Sequence, residues 1–205
     1  MSEEKFTTRN KIIEATAEIV GRENNLNLTI REIAGRAGVN IASINYHFRS
    51  KDNLMEEVES MLLNKAGTTY AILQDKNKSA EARLISWGDK LMEFLVDYPG
   101  TLYIMVSRVL VNNRENGSLA DYLSILINSL TPVIKELTGN DMEDEEILFH
   151  KAMQLMSAVV YPLLLYSGTG NNFFPAVTNK EERHRYLALL INSLKVTDST
   201  GMPKL

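Results

Sequence analysis

The chain contains no cysteine, which excludes disulfides and thiolate chemistry. Its five prolines are scattered over 205 residues, and no low-complexity tract or internal repeat occurs, so no Pro-rich linker is expected. No segment alternates apolar and polar residues with β-branched enrichment between turn signals, which argues against strands. The opening MSEEKFTTRN lacks the apolar core of a signal peptide, and the cytoplasm is the expected location. Residues 152–177 are nearly uncharged and long enough to cross a membrane. They are interrupted by Gln154, Pro162 and a Ser-Gly-Thr-Gly-Asn-Asn run, so a buried helix is expected and no membrane partner.

Catalytic patterns are also absent. The three histidines, His47, His150 and His184, lie far apart and have no metal-ligand spacing. There is no G-x-S-x-G elbow. The glycine-rich run at 167–172 lacks the Gly-Lys-Ser/Thr of a phosphate loop and follows a helix rather than a strand. The acidic run at 141–146 lacks calcium-loop spacing and suits the negative first turn of a helix. Neither an enzyme nor a cofactor is expected.

An apolar content of 44% is enough to bury a core in one or two domains. The net charge of −4 argues at first against nucleic acid, but its distribution reverses that. Residues 5–51 hold eight Lys/Arg and four Glu, whereas residues 52–205 hold fourteen Lys/Arg and twenty Asp/Glu. A small basic module therefore precedes a larger acidic one, and phosphate binding follows local potential rather than total charge.

Helical periodicity runs throughout. Ile12, Ile13, Thr16, Ile19 and Val20 form the stripe of a first helix starting near Thr7 or Thr8 and ending at Gly21. Thr29 with Glu32 makes a capping box for a second helix, which Gly38 stops. Asn40 caps a third helix over 41–48, Arg49-Ser50 breaks it, and a long fourth helix opens at Ser50 or Lys51. Further helices are expected at about 79–97, 101–113, 118–137, 143–167 and 179–195, separated by Gly, Asn and Pro signals at 99–100, 112–117, 139–140 and 168–178. Pro162 should kink its helix. The expected domains are residues 1–52 and 53–205.

Residues 29–48 have helix-turn-helix spacing. Ala34 is small where two helices cross, Gly38 allows a left-handed turn, Val39 plugs the corner, and Ile44 and Phe48 anchor the third helix. With those two inward, Tyr46 lies opposite the core, Ala42 and Ser43 lie near it, Asn45 and His47 lie on the flanks, and Ile41 projects from the helix start. Asn can read adenine, Ser various base edges, and Ala or Ile thymine methyls. Tyr and His suit phosphate or flanking contacts. A helical protein-binding adaptor without a DNA role is the alternative, and the basic segment argues against it.

Residues 28–54, with the helix before them, resemble the DNA-binding module of TetR-family regulators. The Gly38-Val39 turn, the Ser43-Ile44 pair, Tyr46-His47-Phe48 and Arg49-Ser50-Lys51-Asp52-x-Leu54 carry the likeness over roughly 7–60. The resemblance implies an all-α protein: an N-terminal three-helix DNA-binding domain followed by a helical ligand-binding and dimerisation domain. It implies that the third helix enters the major groove as part of a ligand-responsive repressor, with Thr29, Arg31, Asn40, Ile41, Ala42, Ser43, Asn45, Tyr46, His47 and Lys51 as DNA-binding residues. Thr29 and Lys51 would meet phosphates, and Arg31 a phosphate or guanine. Ile41 and Asn45 depart from residues common in the family, so an operator cannot be carried over from relatives.

In the larger module, helices 143–167 and 179–195 are apolar over too wide an arc for simple surface helices. A self-complementary homodimer interface is expected, as the resemblance also implies. Trp87, Phe94, Tyr103, Arg108, Met153 and Tyr161 are candidates for lining a cavity for a small apolar or amphipathic effector, a reading that rests mainly on the family. Arg108 would pair either with a ligand anion or with a neighbouring carboxylate.

Overall fold

Thr29, Asn40, Ser50, Ser79, Asp144 and Asn179 each accept a first-turn amide and open a helix. The computed structural model describes residues 2–110, 117–139, 144–169 and 174–195; most of the turn signals at 112–117, 139–140 and 168–178 and part of the acidic run fall outside them. Nine α-helices are described: α1 (Ser2–Ala17), α2 (Ile30–Ala37), α3 (Ile41–Phe48), α4 (Lys51–Gly67), α5 (Ala80–Asp97), α6 (Pro99–Leu110), α7 (Gly117–Thr138), α8 (Glu145–Thr169) and α9 (Lys180–Leu194). No strand occurs among the described residues. The class is all-α, an N-terminal helix-turn-helix followed by further helices. Pro132 and Pro162 both lie inside continuous helices.

Two compact units form, one from Met1–Lys65 with Asp97–Leu119 and one from Ala66–Val96 with Ala120–Leu205. In the first, Ile12, Val20, Leu28, Ile33, Ile44, Phe48, Leu54, Val58, Leu62 and Ile104 make the core. The sequence places the end of the first helix at Gly21, but the chain continues past Ala17 as a π-helical turn, Glu18–Arg22. This looser winding is uncommon and concentrates where backbones must be repositioned. Here it meets the start of α6. Tyr98 Oη donates to Glu18 Oε1 at 3.2 Å and accepts from Arg22 Nη2 at 3.1 Å, and the Arg22 guanidinium lies 4.7 Å from the Tyr98 ring centre. Gly100 sits so near Val20 that a Cβ there would lie 1.8 Å from the Val20 carbonyl oxygen.

The second unit packs α5, α7, α8 and α9 around Leu84, Trp87, Leu91, Leu130, Ile134, Leu155, Val159, Leu187 and Ile191. Three cations are buried in it and each is answered. Arg83, fully enclosed, donates through Nη1 to the Leu73 carbonyl at 2.9 Å and lies 2.5 Å from Glu136 Oε2. Lys151 Nζ donates to the Leu194 carbonyl at the end of α9, a C-terminal cap by a cation. Arg183 donates through Nε to Asp89 Oδ1 at 2.6 Å and through Nη1 to the Val177 carbonyl at 3.1 Å. The indole Nε1 of Trp87 is buried without an acceptor among the described residues. The stretch Glu145–Ser167 of α8 is long and apolar enough to cross a membrane on length and composition, yet its Leu148, Leu155, Val159 and Leu163 are buried inside this unit.

Burial opposes the charged form of Asp89, but its bonds to Arg183 and His184 more than offset that and hold its carboxyl below the usual carboxylate range. A depressed carboxyl contributes stability that is present above its unfolded pKa, near 3.9, and is lost as pH falls through the folded value. Wild type should therefore exceed Asp89→Asn in denaturation midpoint at pH 6, and the gap should close below about pH 4. A gap that does not change with pH would show that the carboxylate charge is not what matters.

Candidate nucleic-acid interface

α2 and α3 are each opened by a side-chain cap. Thr29 N–H and Oγ1 both donate to Glu32 Oε2, at 2.6 and 2.8 Å, while Glu32 N–H donates to Thr29 Oγ1 at 3.2 Å. The expected capping box is complete. Bonding to Thr29 holds the Glu32 carboxyl below its ordinary range, so Glu32 stays charged at neutral pH. The Thr29 hydroxyl is thus engaged with the fold, and what the position offers an anion is chiefly the first-turn amides of α2, which lack intrahelical acceptors. Gly38 adopts φ 66°, ψ 34°, and Val39 N–H reaches back to the Ala34 carbonyl at 3.0 Å, closing a Schellman-type turn. Asn40 Oδ1 accepts from Ser43 N–H at 2.7 Å and Ser43 Oγ at 3.0 Å. Both polar groups therefore stiffen the start of α3.

The rotation of α3 follows its two anchors. Ile44 and Phe48 are buried, Tyr46 is 65% exposed and Ile41 45%. Ala42 and Asn45 are exposed as well, and Ser43 and His47 are half-buried. Tyr46 and His47 meet edge to face, with ring centres 5.2 Å apart. The Arg9 guanidinium, ion-paired with Glu57, lies 5.4 Å from the Phe48 ring centre and pins the far end of α3. Of the set expected outward, Ile41, Ala42, Asn45 and Tyr46 are thus the exposed members on a short, doubly anchored helix.

After Phe48 the chain turns sharply. Arg49 has φ 65° and ψ −40°, Ser50 N–H donates to the Phe48 carbonyl at 2.7 Å, and Asn53 Nδ2 donates to the same carbonyl at 3.0 Å. Ser50 Oγ accepts from Asn53 N–H at 3.1 Å, which caps α4 and puts Lys51, half-buried, in its first position. The basic residues divide into two groups. Arg9, Arg22 and Arg36 are ion-paired with Glu57, Glu18 and Glu23. Lys11 on α1, together with Arg31, Arg49 and Lys51, has no ion pair among the described residues. Arg31, Arg49 and Lys51 thus stand on α2, just past α3 and at the start of α4 with charge that a polyanion could balance.

The residues expected to line a cavity do not gather in one place. Met153 and Tyr161 line a groove of about 880 Å³ with His150, Ser157, Phe174 and Tyr186, between α8 and α9. Trp87 is closed into the core and Phe94 is half-buried on α5. Tyr103 is exposed on α6, in the first unit. The side chain of Arg108 lies outside the described residues. Arg83, Lys151 and Arg183, the cations that are buried, were not singled out in the sequence. Their one local signal is position: Arg83 falls on the α5 stripe that Ala80, Leu84, Trp87 and Leu91 bury. Among the described residues no three His, Asp or Glu side chains gather as a metal site.

Comparison with known proteins adds independent findings. A family model described as "Bacterial regulatory proteins, tetR family" matches residues 12–58. The chain is 25% identical over 158 residues to the nucleoid occlusion factor SlmA of Idiomarina loihiensis, covering 72% of this chain and 79% of that protein. It is 39% identical over 56 residues to the probable HTH-type transcriptional regulator YttP of Bacillus subtilis, 27% of each chain. A solved structure of a putative TetR-family transcriptional regulator from Mesorhizobium loti shares the fold with a TM-score of 0.68 at 18% identity, over 93% of this chain and 96% of that one.

Proposed function

We propose that this chain, whose residues 12–58 match the model of the tetR family of bacterial regulatory proteins, is a DNA-binding transcriptional regulator of that kind and works in the cytoplasm as a homodimeric repressor of a palindromic operator, released by a small apolar or amphipathic effector. The observation that carries the reading is the exposed face of α3, with Ile41, Ala42, Asn45 and Tyr46 outward and Ile44 and Phe48 fixed in the core. Asn45 reads a base edge, Ile41 and Ala42 pack on thymine methyls, and Tyr46 spans from bases to backbone. Lys51, Arg31 and the amides at the start of α2 fix the position through phosphates. Selection of duplexes from a random pool by the full-length protein should return a palindrome with half-sites about one helical turn apart. Asn45→Ala should then lose about 1–3 kcal/mol on the selected duplex and little on an unrelated one. Equal losses on both would remove Asn45 from base reading.

Dimerisation is assigned to α8 and α9. Phe149, Met153, Ser157 and Tyr161 recur every fourth residue on the outward side of α8, and Leu189 on α9 is 68% exposed. A helix pair from each subunit closes such faces into a four-helix bundle around a two-fold axis. Leu189→Glu, which leaves the subunit core untouched, should sediment as a folded monomer at concentrations where the wild type is a dimer. An unchanged dimer would place the interface elsewhere. The effector is assigned to the second unit. A preference of about 1–3 kcal/mol for the DNA-incompetent state lowers operator affinity five- to 150-fold, and DNA must weaken effector binding by the same factor.

A further inference from the structure

Arg49 stands in a backbone conformation that arginine does not favour. Its φ of 65° and ψ of −40°, with the 2.7 Å bond from Ser50 N–H to the Phe48 carbonyl, make residues 48–50 a γ-turn of the rare positive-φ kind, which is strained for any residue bearing a Cβ. The other positive-φ residues described are Gly38, Gly139 and Asn24, types that enter this region readily. The turn is held from outside Arg49, by Phe48 in the core and by Asn53, which bonds to both Phe48 and Ser50. The Arg49 side chain is exposed and has no ion pair, hydrogen bond or ring contact among the described residues. Nothing in the fold accounts for an arginine there, and glycine would fit the turn with less strain.

We propose that Arg49 is a backbone clamp for DNA: the γ-turn presents its guanidinium to a phosphate flanking the bases read by α3. The assignment rests on the DNA-binding reading above. The residue follows the C-terminal end of α3, and a recognition helix reads bases mainly with its N-terminal part, so a side chain beyond the other end meets sugar and phosphate. It is three residues past outward-facing Tyr46 and two before Lys51, the other unpaired cation of this corner. Guanidinium matches two phosphate oxygens at once. Strain retained around a side chain that serves nothing in the fold is the pattern expected of a functional position.

The test uses the full-length protein, the duplex that the wild type enriches from a random pool, and a scrambled duplex of equal length. Arg49→Gly should be more thermostable than wild type, yet bind both duplexes more weakly by similar factors. Its slope of log affinity against log salt should be shallower by about one unit per bound subunit, so that its deficit between 50 and 200 mM salt shrinks roughly three- to fourfold per subunit, about twelvefold for a dimer. Arg49→Lys should keep the slope, and Arg49→Asn, which also tolerates the turn, should behave as Arg49→Gly does. An unchanged slope in Arg49→Gly overturns the assignment, as does a loss confined to the selected duplex. A Gly variant less stable than wild type overturns it too, since Arg49 would then be serving the fold. A wild type that enriches no duplex overturns the DNA-binding reading itself, and the clamp with it.

Discussion

Replacing Gly100 by alanine should destabilise the first unit by about 3 kcal/mol, the upper end for overpacking a filled site. The added Cβ would lie 1.8 Å from the Val20 carbonyl oxygen, 2.8 Å from its carbonyl carbon and 3.1 Å from Gly21 Cα. All three are backbone atoms, so no side-chain rotation relieves the clash. Either the π turn or the start of α6 must move by more than an ångström, a shift that would disturb the bonds of Tyr98 to Glu18 and Arg22 and the buried Ile104. Gly35 is the internal control. It lies exposed within α2, and a Cβ there would meet nothing within 4 Å, so Gly35→Ala should stabilise by about 0.5–1 kcal/mol through helix propensity alone. Chemical denaturation of the two variants should show opposite signs. A neutral Gly100→Ala would mean that α6 can withdraw from the π turn without loss.

The second large effect concerns Arg83. Its guanidinium is wholly enclosed, its Nε has no hydrogen-bond partner among the described residues, and its counter-charge comes from Glu136, at 2.5 Å. Glu136→Gln keeps the shape and removes the charge, leaving a buried cation uncompensated, for which about 3 kcal/mol is expected. The lower end of the range applies because Glu136 itself reaches solvent. Arg83→Met deletes the larger side chain but also the buried charge, and leaves only the Leu73 carbonyl without its donor, a loss of about 1–2 kcal/mol. The smaller chemical change should therefore do more damage, and the double variant should be no worse than Arg83→Met. Lys76, also near Glu136 at 3.3 Å but exposed, should lose less than about 1 kcal/mol on truncation. If Arg83→Met proved the most damaging of the set, packing rather than charge would govern the site.

What was legible in the sequence is what short-range rules control. The Thr29–Glu32 box, Gly38 and Asn40 each act within a few residues, and the facing of α3 follows from two anchors one turn apart. All of them stand where the spacing put them. What was not legible depends on partners far along the chain. The π turn is not foretold by the polar run after Gly21, because it is stabilised where Tyr98 and Gly100 arrive from about 80 residues away. The buried cations could not be recognised without Glu136, Asp89 and the Leu194 carbonyl, separated from them by 53, 94 and 43 residues. The aromatic and methionine set in the larger unit reads alike whether it fills a core or faces outward; Trp87 does the first, Tyr161 the second.

The enclosure of Trp87 also has a spectroscopic use. It is the only tryptophan in the chain and belongs to the second unit, so intrinsic tryptophan emission reports that unit alone. A wholly enclosed indole in apolar surroundings should emit towards the blue and shift red when its unit opens. Circular dichroism, by contrast, sums helices from both units. Followed together during denaturation, the two signals would separate for Gly100→Ala if the helix-turn-helix unit melts first, and coincide for Glu136→Gln if the loss begins around Arg83. The chain thus carries, without any label, the means to tell which half of it fails first.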